Sequence, residues 1–185
     1  MRRLLVISAA LLLALLASGC GGEIEARTSG DTEGLYLDID ELKYQVQISR
    51  YMNPDDVEDK AFLVGLPEST SQPAGDETWF GVFIRVSNET DEPIAPANNF
   101  EIVDTQENVY RPVPLDTSVN PFAYKPDPVP PKGLIPEQGS VAAESTIQGS
   151  LLLFKVKTES LQNRPLEFRI SRGGSSTTAV VDLDV

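Results

Sequence analysis

The sequence predicts an all-β fold, an antiparallel β-sandwich, on three observations. Period-two alternation of apolar and polar residues recurs from Leu42 to the C-terminus. Convincing helical periodicity is absent beyond a turn at Pro54–Lys60. Turn signals such as "DTQEN" and Gly173-Gly174 punctuate the runs. Seven to nine short strands with little helix bury their apolar faces most simply as two packed sheets.

The strands read off in order. Leu42–Ser49, "LKYQVQIS", alternates without a break and predicts a half-buried strand with Leu42, Tyr44, Val46 and Ile48 inward. Thr78–Asn88, "TWFGVFIRVSN", places Phe80, Val82, Ile84 and Val86 on one face. Its other face carries Trp79, Phe83 and Arg85, so that side is expected to be partly covered too. Phe100–Val103 and Val109–Pro112 flank "DTQEN" as a hairpin. Gly149–Val156, "GSLLLFKV", is apolar enough for a central strand, Leu166–Ser171 alternates again, and Thr178–Val185 puts Val181, Leu183 and Val185 on one face.

One segment breaks this rhythm. Pro112–Pro136, "PVPLDTSVNPFAYKPDPVPPKGLIP", holds 8 of the chain's 14 prolines. Proline has no N–H for a ladder, so this stretch is no central strand. It is also too long for a simple turn, and Phe122 and Tyr124 suggest that it packs rather than floats. Two readings stand: a strap covering a sandwich edge against strand-to-strand association, or a pre-ordered binding loop with Phe122 and Tyr124 as partner anchors.

The N-terminus carries a different signal. Arg2 and Arg3 precede an uncharged run from Leu4 to Gly19 that is too short to span a bilayer, in the layout of a secretory leader. Ala17-Ser18-Gly19-Cys20 resembles the lipobox of bacterial lipoproteins, in which the cysteine sulfur is acylated and the chain is cut just before it. The resemblance implies cleavage between Gly19 and Cys20 and a lipid on Cys20, the only cysteine. Two or three acyl chains hold a protein at a membrane essentially permanently. The expected organisation is a signal peptide over 1–19, an acylated cysteine and flexible tether over 20–34, and a β-sandwich domain over 35–185. The tether, "GGEIEARTSGDTEG" after Cys20, offers little to bury. The expected location is the extracytoplasmic face of the cell membrane.

Composition bounds the function. The formal charge is −13, and loss of Arg2 and Arg3 with the leader makes it −15. So acidic a surface argues against nucleic acid and anionic headgroups as partners. There is no histidine, which removes Ser-His-Asp and Cys-His catalysis and the commonest zinc ligand. No P-loop, G-x-S-x-G or G-x-G-x-x-G occurs. A glycosidase needs only two carboxylates, but 28 acidic residues single out no pair. The cluster Asn53–Asp59 offers Asp55, Asp56, Glu58 and Asp59 as oxygen ligands for Ca2+, yet the spacing matches no EF-hand and the glycine is missing. Its alternative is a helix start with aspartates at the N-terminus. Asn88-Glu89-Thr90 fits the N-glycosylation pattern and, equally, turn chemistry. Trp79, Phe80 and Phe83 are either a sugar- or peptide-binding platform or core.

The stretch "FGVFIRVSNETDEPIAPANNFEIVDTQENVY" resembles the telokin-like immunoglobulin domain of unknown function found in bacterial surface lipoproteins. The correspondence runs through the strand ending at Asn88, the acidic turn and proline Asp91-Glu92-Pro93, the strand led by Phe100, and Tyr110. "GLIPEQGSVAAESTIQGSLLLFKV" is similar to the family's small-residue turn and penultimate buried strand. Where the family often has a hairpin glycine, this chain has Gln106-Glu107-Asn108. The resemblance, over roughly Leu42 to Ser171, implies an immunoglobulin-like sandwich on a lipid anchor and transfers no catalytic residue. The expected function is a non-enzymatic envelope module that contacts a protein or small ligand. The alternatives are a structural or chaperone-like accessory protein and, third, a carboxylate-based calcium protein or glycosidase.

Overall fold

The structure is a computed structural model that describes residues 26–184. Among the described residues ten strands form two sheets. They are β1 (Ser29–Gly30), β2 (Tyr36–Ile39), β3 (Leu42–Met52), β4 (Glu77–Asn88), β5 (Asn99–Val103), β6 (Val109–Tyr110), β7 (Leu134–Ile135), β8 (Ser150–Lys157), β9 (Leu166–Ser171) and β10 (Thr178–Leu183). Sheet A runs β1-β10-β9-β5-β6; sheet B runs β2-β3-β4, with β8 and β7 sharing the far edge of β4. All pairings are antiparallel except the short β1–β10 contact. The β-sandwich expectation holds; the two-residue strands β1 and β7 lie inside segments read as tether and proline loop.

The apolar alternation does what it predicts. Phe80, Val82, Ile84 and Val86 of β4 and Leu152, Phe154 and Val156 of β8 meet Phe100, Ile102, Phe168, Ile170 and Val181 of sheet A in one core. Phe154 and Phe168 cross the interface edge to face at 6.2 Å, a favoured aromatic geometry. The outer face of β4 is covered as well. Trp79 and Phe83, with Met52, Leu151 and Leu153, form a second cluster beneath Phe62 of the helix α1 (Val57–Phe62) and Phe122 of the proline segment. This explains why β4 is apolar on both faces.

A β-bulge between Val46 and Ile48 breaks the predicted alternation of β3. Ile48 pairs across from Phe83 of the outer face and is part-exposed, while Ser49 takes the inward position opposite Val82. A single inserted residue reverses the faces beyond it.

The tether expectation needs correction over residues 26–34. Asp38 N–H donates to the Arg27 carbonyl at 2.6 Å, Val180 N–H to that of Thr28 at 2.9 Å, and Gly34 N–H to that of Val46 at 2.9 Å. The Glu33 carboxylate accepts from Ser49 N–H at 3.0 Å and Asp184 N–H at 3.2 Å, and also from the Ser49 hydroxyl. Docking by hydrogen bonds leaves no apolar pattern, so composition misses it. The folded unit therefore starts before residue 35.

The β5–β6 hairpin closes as "DTQEN" predicts, through Asp104. Its carboxylate accepts from the N–H groups of Gln106 and Asn108, each at 2.9 Å, and from the Asn108 amide at 2.8 Å. Burial pushes its pKa up, but donation from Asn108, Ser160 and Asn163 outweighs that and holds the carboxyl well below the usual range. The stabilisation from this shift is present above pH ~4 and lost as pH falls below it. Glu107 adopts φ 64°, the left-handed region, on an exposed turn. The E107G variant relieves that strain and is expected to gain about 0.5–1 kcal/mol, less than the full left-handed penalty because glycine costs unfolded-state entropy. In a thermal melt this reads as an increase of about 2 °C in Tm.

Candidate functional site

The lipidation residue Cys20, the cleavage point after Gly19 and the leader 1–19 lie outside the described residues. The other candidate residues can be placed. Asp56 caps α1: its Oδ1 accepts from Glu58 N–H at 2.8 Å and Asp59 N–H at 3.3 Å. Asp59 turns inward, buried, where it meets Arg50 Nη1 at 2.6 Å and accepts from Asn53 N–H at 2.7 Å. Asp55 and Glu58 point to solvent. Among the described residues no three acidic side chains converge in the manner of a metal cage. Asp56 takes the helix-start role of the alternative reading, and Asp59 an ion pair with Arg50.

Phe122 and Tyr124 are not free anchors, and that expectation is corrected. The Phe122 ring packs on Phe62 at 4.7 Å. The Tyr124 ring packs on Phe100 at 5.1 Å, and its hydroxyl donates to the Ala97 carbonyl at 2.8 Å. Trp79, Phe80 and Phe83 are buried, so they form no exposed platform. The expected covering of the second face of β4 is met; alternation did not show which segments would supply it.

Ala97 is held twice: its N–H donates to the Tyr44 hydroxyl at 2.7 Å while its carbonyl accepts from Tyr124. Burial raises the Tyr44 pKa to about 12, against the smaller lowering effect of the Ala97 donation. Burial, followed by the nearby Tyr44 charge, raises that of Tyr124 further. The unfolded chain releases these protons near pH 10 while the folded chain keeps them, so stability is intact below pH ~10 and falls as pH rises from there. The expected slope is about 1.4 kcal/mol per pH unit for each withheld proton. Denaturant midpoints and phenolate absorbance measured together across this range check it: two of the five tyrosines should ionise only as the protein unfolds.

The proline segment is a strap with two limbs along the free edge of β8. Val113 N–H donates to the Leu153 carbonyl at 2.7 Å, Tyr124 N–H to that of Leu151 at 2.9 Å, and Leu151 N–H to that of Phe122 at 2.7 Å. Two buried asparagines pin it: Asn120 to the last residue of α1 and to Val64 beyond it, and Asn88 to the returning limb. Between the limbs lies a cleft of about 460 Å3, floored by Leu151–Leu153 and Tyr124 and rimmed by Asn98, Thr117 and Arg111. Among the described residues Arg111 is the only charged one in that lining, and none of them brings a carboxylate to it. The volume falls within the range of small-ligand sites. Sequence reasoning located the segment but not the cleft, because the cleft exists only where the limbs part.

The chain is thus a two-sheet β-sandwich whose sheet B edge is closed by a proline-rich strap enclosing a cleft. No family model matches it, and no curated protein does. Among solved structures it is similar to an uncharacterized β-sandwich protein of Clostridium difficile 630, with 10% identity over 89% of this chain and 100% of that one and a TM-score of 0.49. The yjhA protein of Bacillus subtilis shows 10% identity over 83% of this chain and 99% of that one, at 0.47. A candidate lipoprotein of B. subtilis, ycdA, shows 14% identity over 85% of this chain and 39% of that one, at 0.46.

Proposed function

We propose that the chain is a lipid-anchored, extracytoplasmic, non-enzymatic binding module of the cell envelope, an immunoglobulin-like domain of the telokin-like kind. One observation carries this reading: a sequence with the layout of a leader, Met1–Gly19, followed by Cys20, precedes in the same chain a β-sandwich described from residue 26 onward. A lipid anchor on a β-sandwich suits a protein that must stay at a surface and meet a partner there. The absence of histidine from the sequence supports a binding role over catalysis. The strap cleft is the place for a ligand in this reading.

Anchoring is tested by mass spectrometry of the N-terminal peptide from native membranes. The expected species begins at Cys20 and carries acyl chains, and the C20A variant leaves the membrane fraction. An unmodified thiol overturns the reading. Crosslinking in the native envelope tests the binding role: a partner lost when the cleft is blocked supports it. No partner at any position leaves the accessory-protein reading, which the closed β8 edge favours.

A further inference from the structure

The cleft borders a gap in sheet A. Asp104 N–H donates to the Asn108 carbonyl at 3.2 Å, so even-numbered residues of β5 direct their backbone groups toward β6. Ile102 pairs there with Tyr110, and the position that would oppose Phe100 in the same register is Pro112. Proline has no N–H for the Phe100 carbonyl, and from Pro112 the chain crosses to the other sheet, bridging Leu153 at Val113. Among the described residues no backbone group outside the strands pairs with Phe100. One donor and one acceptor of β5 are thus left facing the side on which Phe100 and Arg111 line the cleft.

We infer that the cleft takes an extended peptide bearing a carboxylate, which adds to sheet A beside Phe100 and places its acid at Arg111. This rests on the reading of the chain as a binding module and names the ligand class of that site. Three features specify the occupant. An unpaired strand edge is satisfied by another extended backbone, which supplies both the missing donor and the missing acceptor. The partly exposed apolar lining at Pro112–Leu115 and Ala123 accepts an apolar side chain. In a chain with 28 acidic residues, a lining whose sole charge is a guanidinium favours an anionic group. Arg111 engages Glu101 through Nη2 alone, at 2.6 Å, so its other N–H groups remain for a ligand carboxylate.

The test uses the full chain in detergent micelles against a library of hexapeptides with free C-termini. Enriched peptides should combine an apolar residue with an acidic group, and binding should slow hydrogen exchange at the Phe100 amide. The R111Q variant, exposed and outside the core, should weaken binding about tenfold, the loss of one charge-assisted hydrogen bond. Failure to enrich any peptide overturns the inference, as does enrichment indifferent to R111Q or binding that leaves Phe100 exchange unchanged. Protection of Phe100 that grows with protein concentration alone assigns the edge to a second copy and also overturns it. Palmitate retained in the cleft without protecting Phe100 does the same. Recovery of an envelope partner by crosslinking alongside any of these failures leaves the binding-module reading standing.

Discussion

The N88D variant is expected to lose about 3–5 kcal/mol, the cost of leaving an uncompensated charge buried. Asn88 ends β4 and is buried. Its amide Nδ2 donates to the carbonyls of Glu92 at 2.7 Å, Val129 at 3.0 Å and Pro130 at 3.1 Å. Its Oδ1 accepts from the Thr90 N–H at 2.9 Å and hydroxyl at 2.8 Å. One side chain thus closes the turn after β4 and holds the returning limb of the strap. Aspartate keeps the shape but turns both donors into an anionic oxygen facing three carbonyls. Domains of this size have about 5–15 kcal/mol in total, so the variant should stand near the limit of folding at neutral pH. Its carboxyl pKa should be raised, so the penalty is full above that pKa and eases as pH falls through it. Denaturant midpoints at neutral and mildly acidic pH check both points. The N88A variant, which leaves the carbonyls unpaired but adds no charge, should lose about 2–3 kcal/mol. A loss under about 1 kcal/mol for N88D would mean that this amide is not a structural hub. The same contacts decide the glycosylation pattern, since the nitrogen a glycan would need is engaged in the turn.

The sandwich was legible in the sequence because its signal is periodic. Phe80 to Val86 and Leu166 to Ile170 repeat at every second residue, and water enforces that pattern wherever one face is buried. Three kinds of feature lay outside it. The bulge at Val46/Ile48 is a local change of register, which alternation cannot announce in advance. The docking of residues 26–34 uses Glu33 and backbone groups, polar atoms that look identical in a sequence whether bonded or solvated. That Trp79 and Phe83 would be covered was expected from an apolar second face, but what covers them, α1 and Phe122 arriving from distant parts of the chain, was not legible. The candidate site divides similarly. Proline density marked Pro112–Pro136 as unusual, and the edge-covering reading matches the bonds to Leu151 and Leu153. Phe122 and Tyr124 pack, as aromatics in so long a segment suggest, on Phe62 and Phe100; their alternative as outward anchors rested on residue type, which does not say which way a side chain turns. The polar residues that fasten the strap, Asn88 and Asn120, carry no periodic mark, although Asn before a turn is a mechanistic hint.

The N120A variant is expected to free the strap without melting the sandwich. Asn120 is buried at the tip of the strap, where Nδ2 donates to the carbonyls of Phe62 at 2.9 Å and Val64 at 3.0 Å and Oδ1 accepts from Phe122 N–H at 2.9 Å. Alanine removes all three bonds, a loss of about 2–4 kcal/mol. The loss falls on a small apolar cluster outside the main core, so it should appear as local opening rather than global unfolding. Hydrogen exchange should accelerate at Phe122, Tyr124 and Leu151, whose amides make or adjoin the strap bonds, while β3–β4 amides keep their protection. The single tryptophan reports the same event, because Trp79 lies in that cluster beneath α1. Its fluorescence should shift at lower denaturant than the far-ultraviolet signal of the sheets. With the strap open, the β8 edge at Leu151–Leu153 is bare, and an uncovered apolar edge templates pairing between chains. N120A should therefore associate at concentrations where the native chain does not, and added surface charge on the strap should not reverse it. Equal acceleration of every amide would show instead that strap and sandwich unfold as one cooperative unit, with the edge never exposed on its own.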